Sequence, residues 1–556
     1  MPAGDAVTPA VRIGSVVPQK ASFAPGEPWQ LRVTVRSDQA ANAVVRVSPG
    51  PAQVRVQLAT GLTHVSCEVP APRTVERGYL VEASVVADGA VATGRGAVDV
   101  LADWRDDPRY GFLSEFGPGD VGQPARAAAM AGLHLNCAQF YDWMYRHDQL
   151  LPPSEDFTDP IGRRLSLASV RRSIAACVDA GIAPLAYAAL YAGLPDFAAA
   201  HRDWQLTDGQ GQPEHLAELF YLMNPADAGW QRHLLGQFGE TLDRLDFSGF
   251  HLDQYGYPRR ARDAAGQRLD VGAGLGALAS AASSLTAERR PGGAVIANAV
   301  GAWPLDDYAA VPQAASYIEL WPPYTRYEDL VALADRARRL ADRPVLLAAY
   351  PAFLGSKPAP AAGPASSGLA HLIAMTLAAG AWPLLAGEDD RVLVDPYYPN
   401  HARPAAPVRA TLQRLFDFGV AFRHWLRGPG VAPIEPAFVE GPAAEWQFTP
   451  RRGTSRVSAR PDAGRIWARV STTPVGLVLS LVNLLQVTDP SWDRVQPPPR
   501  STTVVVTLPR HLIAPACWLA TPDKGVEPLA VSENAEGRQV HVPLTHWSLI
   551  RVADHR

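Results

Sequence analysis

Between Tyr110 and His401, short apolar runs alternate with longer stretches whose apolar residues recur at helical spacing, and the alternation repeats eight times. The strand candidates are Gly111–Phe116, Leu133–Tyr141, Ala183–Leu190, Gly249–Gln254, Ala294–Ala299, Ala315–Leu320, Pro344–Tyr350 and Trp382–Glu388. Segments such as Val170–Ala180, Trp230–Leu245 and Tyr327–Leu340 supply the helices between them. Eight β/α repeats over this length predict a (β/α)8 TIM barrel, because parallel strands need a crossover helix and close on themselves at eight.

The flanks have a different texture. Residues 1–104 carry short β-rich runs (Leu31 to Val35, Ala43 to Val47, Val54 to Leu58, Tyr79 to Val86) punctuated by Gly, Pro, Asp and Asn, which predicts an Ig-like β-sandwich. The barrel then occupies 105–404. Residues 405–556 begin with a helix, Ala405 to Phe422, and turn β-rich again (Arg465–Val470, Gly476–Val482, Thr502–Leu508, Arg538–Pro543), which predicts a second sandwich. Three units also suit 556 residues, too many for one hydrophobic core.

Several function classes start at a disadvantage. A net charge of −4 with no long basic run argues against nucleic acid or anionic membrane as a partner. Lysine occurs only at positions 20, 357 and 524, away from the strand ends, which disfavours Schiff-base chemistry. Cysteines 67, 137, 177 and 517 show no metal-ligand spacing and read as small buried residues. His147 and Asp148 are adjacent rather than a helical turn apart, and no Lys follows Gly272-Ala273-Gly274-Leu275-Gly276, so neither a metal site nor a phosphate loop is expected. No cofactor is called for. Met1-Pro2-Ala3-Gly4-Asp5 lacks the basic-then-apolar pattern of a secretion leader. The sequence leaves location open between the cytoplasm and, for a trimmed precursor, the cell exterior. It is equally open on oligomeric state.

Barrel chemistry belongs at the C-terminal ends of the strands. The polar residues there are Glu115, Tyr141, Asp142, Asp253, Gln254, Asn298, Glu319, Tyr350 and Glu388. Asp253 ends the apolar run Gly249-Phe250-His251-Leu252; by itself it could equally cap the next turn or pair with an arginine. Glu319 ends Ser316-Tyr317-Ile318 among aromatic neighbours, where desolvation can raise a carboxyl pKa for proton transfer; the alternative is a rim salt bridge. Together, two carboxyl groups on the fourth and sixth strands can face one another across a mouth, as glycoside cleavage requires. The dense run Phe140-Tyr141-Asp142-Trp143-Met144-Tyr145-Arg146-His147-Asp148 offers rings for sugar C–H faces and charges for hydroxyls, or else forms an amphipathic rim loop.

These motifs, with Gly111-Phe112-Leu113-Ser114, His251-Leu252-Asp253-Gln254, Tyr317-Ile318-Glu319-Leu320-Trp321 and Asp395-Pro396-Tyr397-Tyr398-Pro399-Asn400, resemble glycoside hydrolase family 66, the dextranases and cycloisomaltooligosaccharide glucanotransferases. The resemblance is strongest in the barrel and extends to the outer domains in arrangement only. It implies retaining, endo-type cleavage of α-1,6-linked glucan, with Asp253 as nucleophile, Glu319 as acid/base and Asp142 as a further active-site residue. Expected substrate contacts are Tyr141, Asp142, Trp143, Arg146, His147, Tyr187, His251, Gln254, Asn298, Trp321, Tyr350 and Glu388. Cyclising family members carry a module inserted after strand seven; here Pro351 to Ser367 is a short Pro/Ala/Gly-rich loop, which tilts the expectation toward hydrolysis. Transfer to a sugar, giving cyclic or linear isomaltooligosaccharides, a non-catalytic glucan-binding role, and cleavage of another linkage or from the chain end are the alternatives.

Overall fold

The computed structural model describes residues 10–70, 75–440, 444–450 and 456–554; the leader reading at Met1 to Asp5 lies outside them. The barrel strands are β1 (Tyr110–Leu113), β2 (Cys137–Phe140), β3 (Ala183–Ala189), β4 (Gly249–Asp253), β5 (Ala294–Val300), β6 (Ser316–Glu319), β7 (Val345–Ala348) and β8 (Trp382–Pro383). They pair in sequence order as one parallel sheet, as expected of a TIM barrel. Helices α1 (Gln123–Gly132), α2 (Leu167–Asp179), α3 (Ala228–Arg244), α4 (Val271–Arg289), α5 (Leu305–Tyr308), α6 (Tyr327–Leu340) and α7 (Ala362–Ala378) lie between them. Aspartates 227 and 270 cap α3 and α4 by accepting backbone N–H groups of the first turn.

Three strand boundaries differ from the sequence expectation by three residues or more. The second strand starts at Cys137 rather than Leu133, because α1 runs to Gly132 and His134 then takes a left-handed turn at φ 62°. The first strand ends at Leu113 and the eighth at Pro383. Beyond those points the seam is closed by other contacts. A side chain at Gly387 would meet the Phe112 carbonyl oxygen at 2.3 Å, so only glycine lets the two segments approach. Next to it, the Glu388 carboxylate accepts from the Ser114 hydroxyl at 2.7 Å and from the backbone N–H of Ser114 and Glu115 at 3.2 and 3.3 Å.

The N-terminal region is a sandwich of a three-stranded and a four-stranded antiparallel sheet. Inward residues such as Val33, Val45, Val65 and Val81 fill the space between them, following the period-2 alternation of each strand. The C-terminal region pairs a seven-stranded with a four-stranded sheet around Leu479, Leu481, Val506 and Val540, preceded by α8 (Ala406–Ala421). Among the described residues no helix is long and apolar enough to cross a membrane.

A buried ion cluster joins the three regions. Arg109, with a fully buried side chain, donates to Asp99 at the end of the first sandwich (2.7 Å) and to Asp107 (2.8 Å). From beyond α8, Arg423 reaches Asp99 at 2.7 Å and Arg427 reaches Asp107 at 2.6 Å. Burial opposes the charge on Asp107, yet Arg427 and Arg109 hold its carboxyl well below the usual range. Removing one member leaves the others charged and dry. Asp99→Ala is therefore expected to cost about 3–5 kcal/mol and lower the thermal unfolding midpoint measured by circular dichroism. Glu82→Ala breaks the Arg95–Glu82 pair, whose side chains are 42% and 47% exposed, and is expected to cost under about 1 kcal/mol. Equal midpoints for the two variants would show that the cluster does not carry stability.

Candidate active site

A cavity of about 360 Å3 opens at the C-terminal ends of the barrel strands. Strands β4, β5 and β6 are neighbours, and their ends deliver Asp253, Asn298 and Glu319 to its floor. The Asn298 side-chain N–H2 donates to Asp253 Oδ1 at 2.8 Å and to Glu319 Oε2 at 3.0 Å. Each carboxyl group has a tyrosine on its other oxygen. Tyr187 donates to Asp253 Oδ2 at 2.8 Å, and Tyr350 donates to Glu319 Oε1 at 3.0 Å.

Electrostatics separates the two. Burial raises the Asp253 pKa, and hydrogen bonds from Tyr187, Asn298 and the Gln254 backbone draw it back. Burial, then the neighbouring Asp253, push Glu319 up to about 7, against the hydrogen bonds of Asn298, Tyr350 and the Trp321 side chain. Two carboxyl groups this close do not both ionise freely; Glu319 is the one placed to hold the proton near neutrality.

Asp142 stands on the loop after β2 with a left-handed backbone, φ 47°, which turns its side chain back into the cavity lining. Burial, with Asp159 and Asp253 nearby, pushes its pKa up to about 7, although Arg163 Nη2 lies 3.6 Å from its carboxylate. Arg163 also donates to the Asp142 carbonyl (2.9 Å) and to Asp159 (2.6 Å), so it fixes the loop as well as the charge. Burial drives the His147 pKa down to about 3, which leaves it neutral.

Of the fourteen expected site residues, the cavity lining brings together Tyr141, Asp142, Arg146, His147, Tyr187, His251, Asp253, Gln254, Asn298, Glu319, Trp321 and Tyr350. Two do not reach it. Trp143 is fully buried beneath the rim, against Phe247, and donates its indole N–H to the Tyr187 carbonyl. Glu388 is spent on the barrel seam. Within the cavity, some side chains are already committed to the protein. The Gln254 amide donates to the carbonyls of Asn298 and Trp303 and accepts from Gly256 N–H. The His251 ring, 1% exposed, hydrogen bonds with Tyr110 at 2.8 Å. Arg146 is clamped between Asp148 and Asp196.

Other lining residues carry no expected role in the sequence. Tyr397 and Tyr398 belong to the Asp-Pro-Tyr-Tyr-Pro-Asn run; Tyr398 stacks on Tyr141 at 4.6 Å and donates to Gln139 at 3.2 Å. Tyr255 follows Asp253 by two positions, the same segment signal read one step further. Leu216 and Phe220 come from a small sheet after β3, and no sequence spacing ties that sheet to the mouth. Three buried polar atoms of the lining lack a partner within the protein: Asn298 Oδ1, His147 Nδ1 and Tyr255 OH.

Glu115, Glu388 and His401 have potential ligand atoms within 4.8 Å of one another at the seam. Glu388 already accepts three hydrogen bonds, and an Arg391 nitrogen sits 3.0 Å from His401 Nε2, so a cationic group occupies that corner. The arrangement does not fit a resident metal.

Comparison with known proteins places the chain. Residues 18–551 match the model of glycosyl hydrolase family 66. Two cycloisomaltooligosaccharide glucanotransferases of Niallia circulans are 28% identical over 215 residues and 24% identical over 291 residues. Those matches cover 35% and 48% of this chain but only 22% and 30% of the relatives. A crystal structure of a Paenibacillus sp. cycloisomaltooligosaccharide glucanotransferase complexed with cycloisomaltoheptaose is similar in fold, with TM-score 0.85 and 20% identity over 97% of this chain and 100% of that one.

The paired carboxyl groups make a direct prediction. With 13C-labelled glutamate, the Glu319 carboxyl signal, identified by its loss in Glu319→Gln, is expected to titrate near pH 7. Asp253→Asn removes the like charge and is expected to move that midpoint to lower pH. A midpoint unchanged by the substitution would show that the two groups are not coupled.

Proposed function

The chain belongs to glycosyl hydrolase family 66, and from that premise we propose that it cleaves α-1,6-linked glucan, dextran or isomaltooligosaccharides, with retention of anomeric configuration. The observation that carries the reading is the single amide shared by Asp253 and Glu319. Its nitrogen stands 2.8 Å from Asp253 Oδ1 and 3.0 Å from Glu319 Oε2, so those two oxygens are at most about 5.8 Å apart. Double displacement needs carboxyl groups about 5–5.5 Å apart, whereas inversion needs about 6.5–9.5 Å to admit a water between group and sugar.

In this mechanism Glu319 gives its proton to the glycosidic oxygen as Asp253 attacks the anomeric carbon. The C–O bond to the leaving sugar breaks and an ester to Asp253 forms. Glu319, now a carboxylate, takes a proton from the incoming acceptor, which displaces Asp253. Asn298 and Tyr187 align the nucleophile and lose hydrogen-bond strength as its charge is consumed. Asp142, in the cavity lining, is placed to accept hydroxyls of the sugar at the cleavage point.

Water is the acceptor in the principal reading. Only residues 349–361 separate β7 from α7, too few to hold an inserted binding module that would return a long chain end to the site. A second reading, transfer to a sugar, is supported by the glucanotransferase names of the relatives and by Trp321. That ring is 42% exposed and lies beside the acid/base, where an acceptor sugar would stack.

Asp253→Ala and Glu319→Gln are each expected to lower turnover of dextran roughly 10²–10⁴-fold or more with the fold intact. The alkaline limb of the wild-type pH profile is expected near pH 7, where Glu319 loses its proton. NMR of fresh product should show the α-anomer first, and reducing ends should appear from the first time points. Early β-anomer would exclude retention; cyclic products without reducing ends would select the sugar acceptor.

A further inference from the structure

Next to the catalytic cavity lies a second one of about 580 Å3, and the Arg146 side chain lines both. Its wall is one face of α3. His233, Gln237, Glu240 and Arg244 recur at four-, three- and four-residue steps, which places them on one stripe of that helix. The Phe197 ring of the short helix Pro195–Ala200, packed against His233 at 4.8 Å between ring centroids, and the segment at Pro152 and Pro153 complete the lining.

The chemistry of this cavity narrows its ligand. Arg146 is already paired with Asp148 and Asp196, so it offers no free cation to a phosphate and they offer no free carboxylate pair to a metal. His233 is bonded to the Asp148 carbonyl at 2.7 Å. Gln237 uses its carbonyl oxygen to accept from Leu150 N–H at 3.1 Å. Among the described residues no partner is recorded for the Gln237 amide nitrogen, the Glu240 carboxylate or the Arg244 guanidinium. What remains is one neutral donor, one carboxylate, one guanidinium and one half-buried aromatic ring. Opposite charges in equal number favour neither an anion nor a cation; alternating donors and acceptors beside a ring suit a neutral polyhydroxylated chain.

We infer that this second cavity is a remote subsite for the same α-glucan, holding sugar units several residues from the bond being cut. The inference rests on the function proposed above and extends it: the enzyme prefers long chains because they fill both cavities. Occupation of the outer cavity adds hydrogen bonds in ground state and transition state alike, so it lowers KM rather than raising kcat.

The double variant Glu240→Ala/Arg244→Ala tests it. Both residues are exposed and lie outside the catalytic cavity, so the fold is expected to survive. Rates are measured on dextran and on the shortest α-1,6-linked oligosaccharide that the wild type cleaves. On dextran, kcat/KM is expected to fall roughly five- to tenfold, through KM, as for one or two lost hydrogen bonds. On the short substrate it is expected to stay within about twofold of the wild type. Equal loss on both substrates, or no loss on dextran, would overturn the inference. Wild-type protein inert on every α-1,6-glucan would instead overturn the proposed function, and the remote subsite with it.

Discussion

Two carboxyl groups buried side by side repel one another, and the mouth of this barrel is built around the amide that holds them. Asn298 can do so because of where parallel pairing puts it. Leu252 of β4 stands beside Ala297 of β5, and Val300 of β5 beside Glu319 of β6. Asn298 therefore comes level with Asp253 and just below Glu319, with one strand on either side. An amide N–H2 only donates, so it faces both carboxyl groups and leaves its carbonyl oxygen for something else. That orphaned oxygen is buried.

The tyrosines complete this arrangement. Tyr187 and Tyr350 serve one carboxyl group each, and burial keeps their own hydroxyls neutral by raising their pKa values. Behind Tyr350, the Tyr398 and Tyr317 hydroxyls lie 3.2 Å apart, and Tyr398 reaches on to Gln139 of β2. The segment after β8 is anchored by this chain of hydroxyls across the barrel interior. Phenols suit the task because they bring bulk, which excludes water and sharpens electrostatics, and one polar atom each, which is satisfied.

How much of this was legible in the sequence depended on range. The barrel was legible because each β/α repeat carries its own periodicity, and all eight strand runs overlap the observed strands. Asp253, Asn298 and Glu319 were legible as polar residues at or near the C-terminal ends of apolar strands, the end where barrel chemistry sits. The partners were not. Tyr187 and Tyr350 were expected to touch sugar, but their hydroxyls are taken by the carboxyl groups, a contact that exists only once β3 meets β4 and β6 meets β7. Trp143 sits in the most sugar-like run of the chain, yet the turn that aims Asp142 inward sends the next side chain down into the core. Phe220 and Leu216 had no sequence signal, because nothing local says that a small sheet after β3 folds over the mouth.

Glu388 differs from Asp253 and Glu319 in what holds it. In the sequence it looks equal to Asp253 and Glu319, an acid after an apolar run, but the eighth strand ends at Pro383 and Glu388 lies beyond it. The difference is in its donors. Glu388 accepts two backbone N–H groups and a serine hydroxyl from the first strand's extension, and it is reached only because Gly387 lets that backbone come close. Backbone donors cannot turn away when a substrate arrives, so the carboxylate is permanently engaged in closing the barrel. Asp253 and Glu319 accept chiefly from side chains that line an open cavity, and each keeps a face toward it. Position on a barrel rim therefore nominates a carboxylate, and the nature of its donors decides whether it is a permanent clasp or stays open to the cavity.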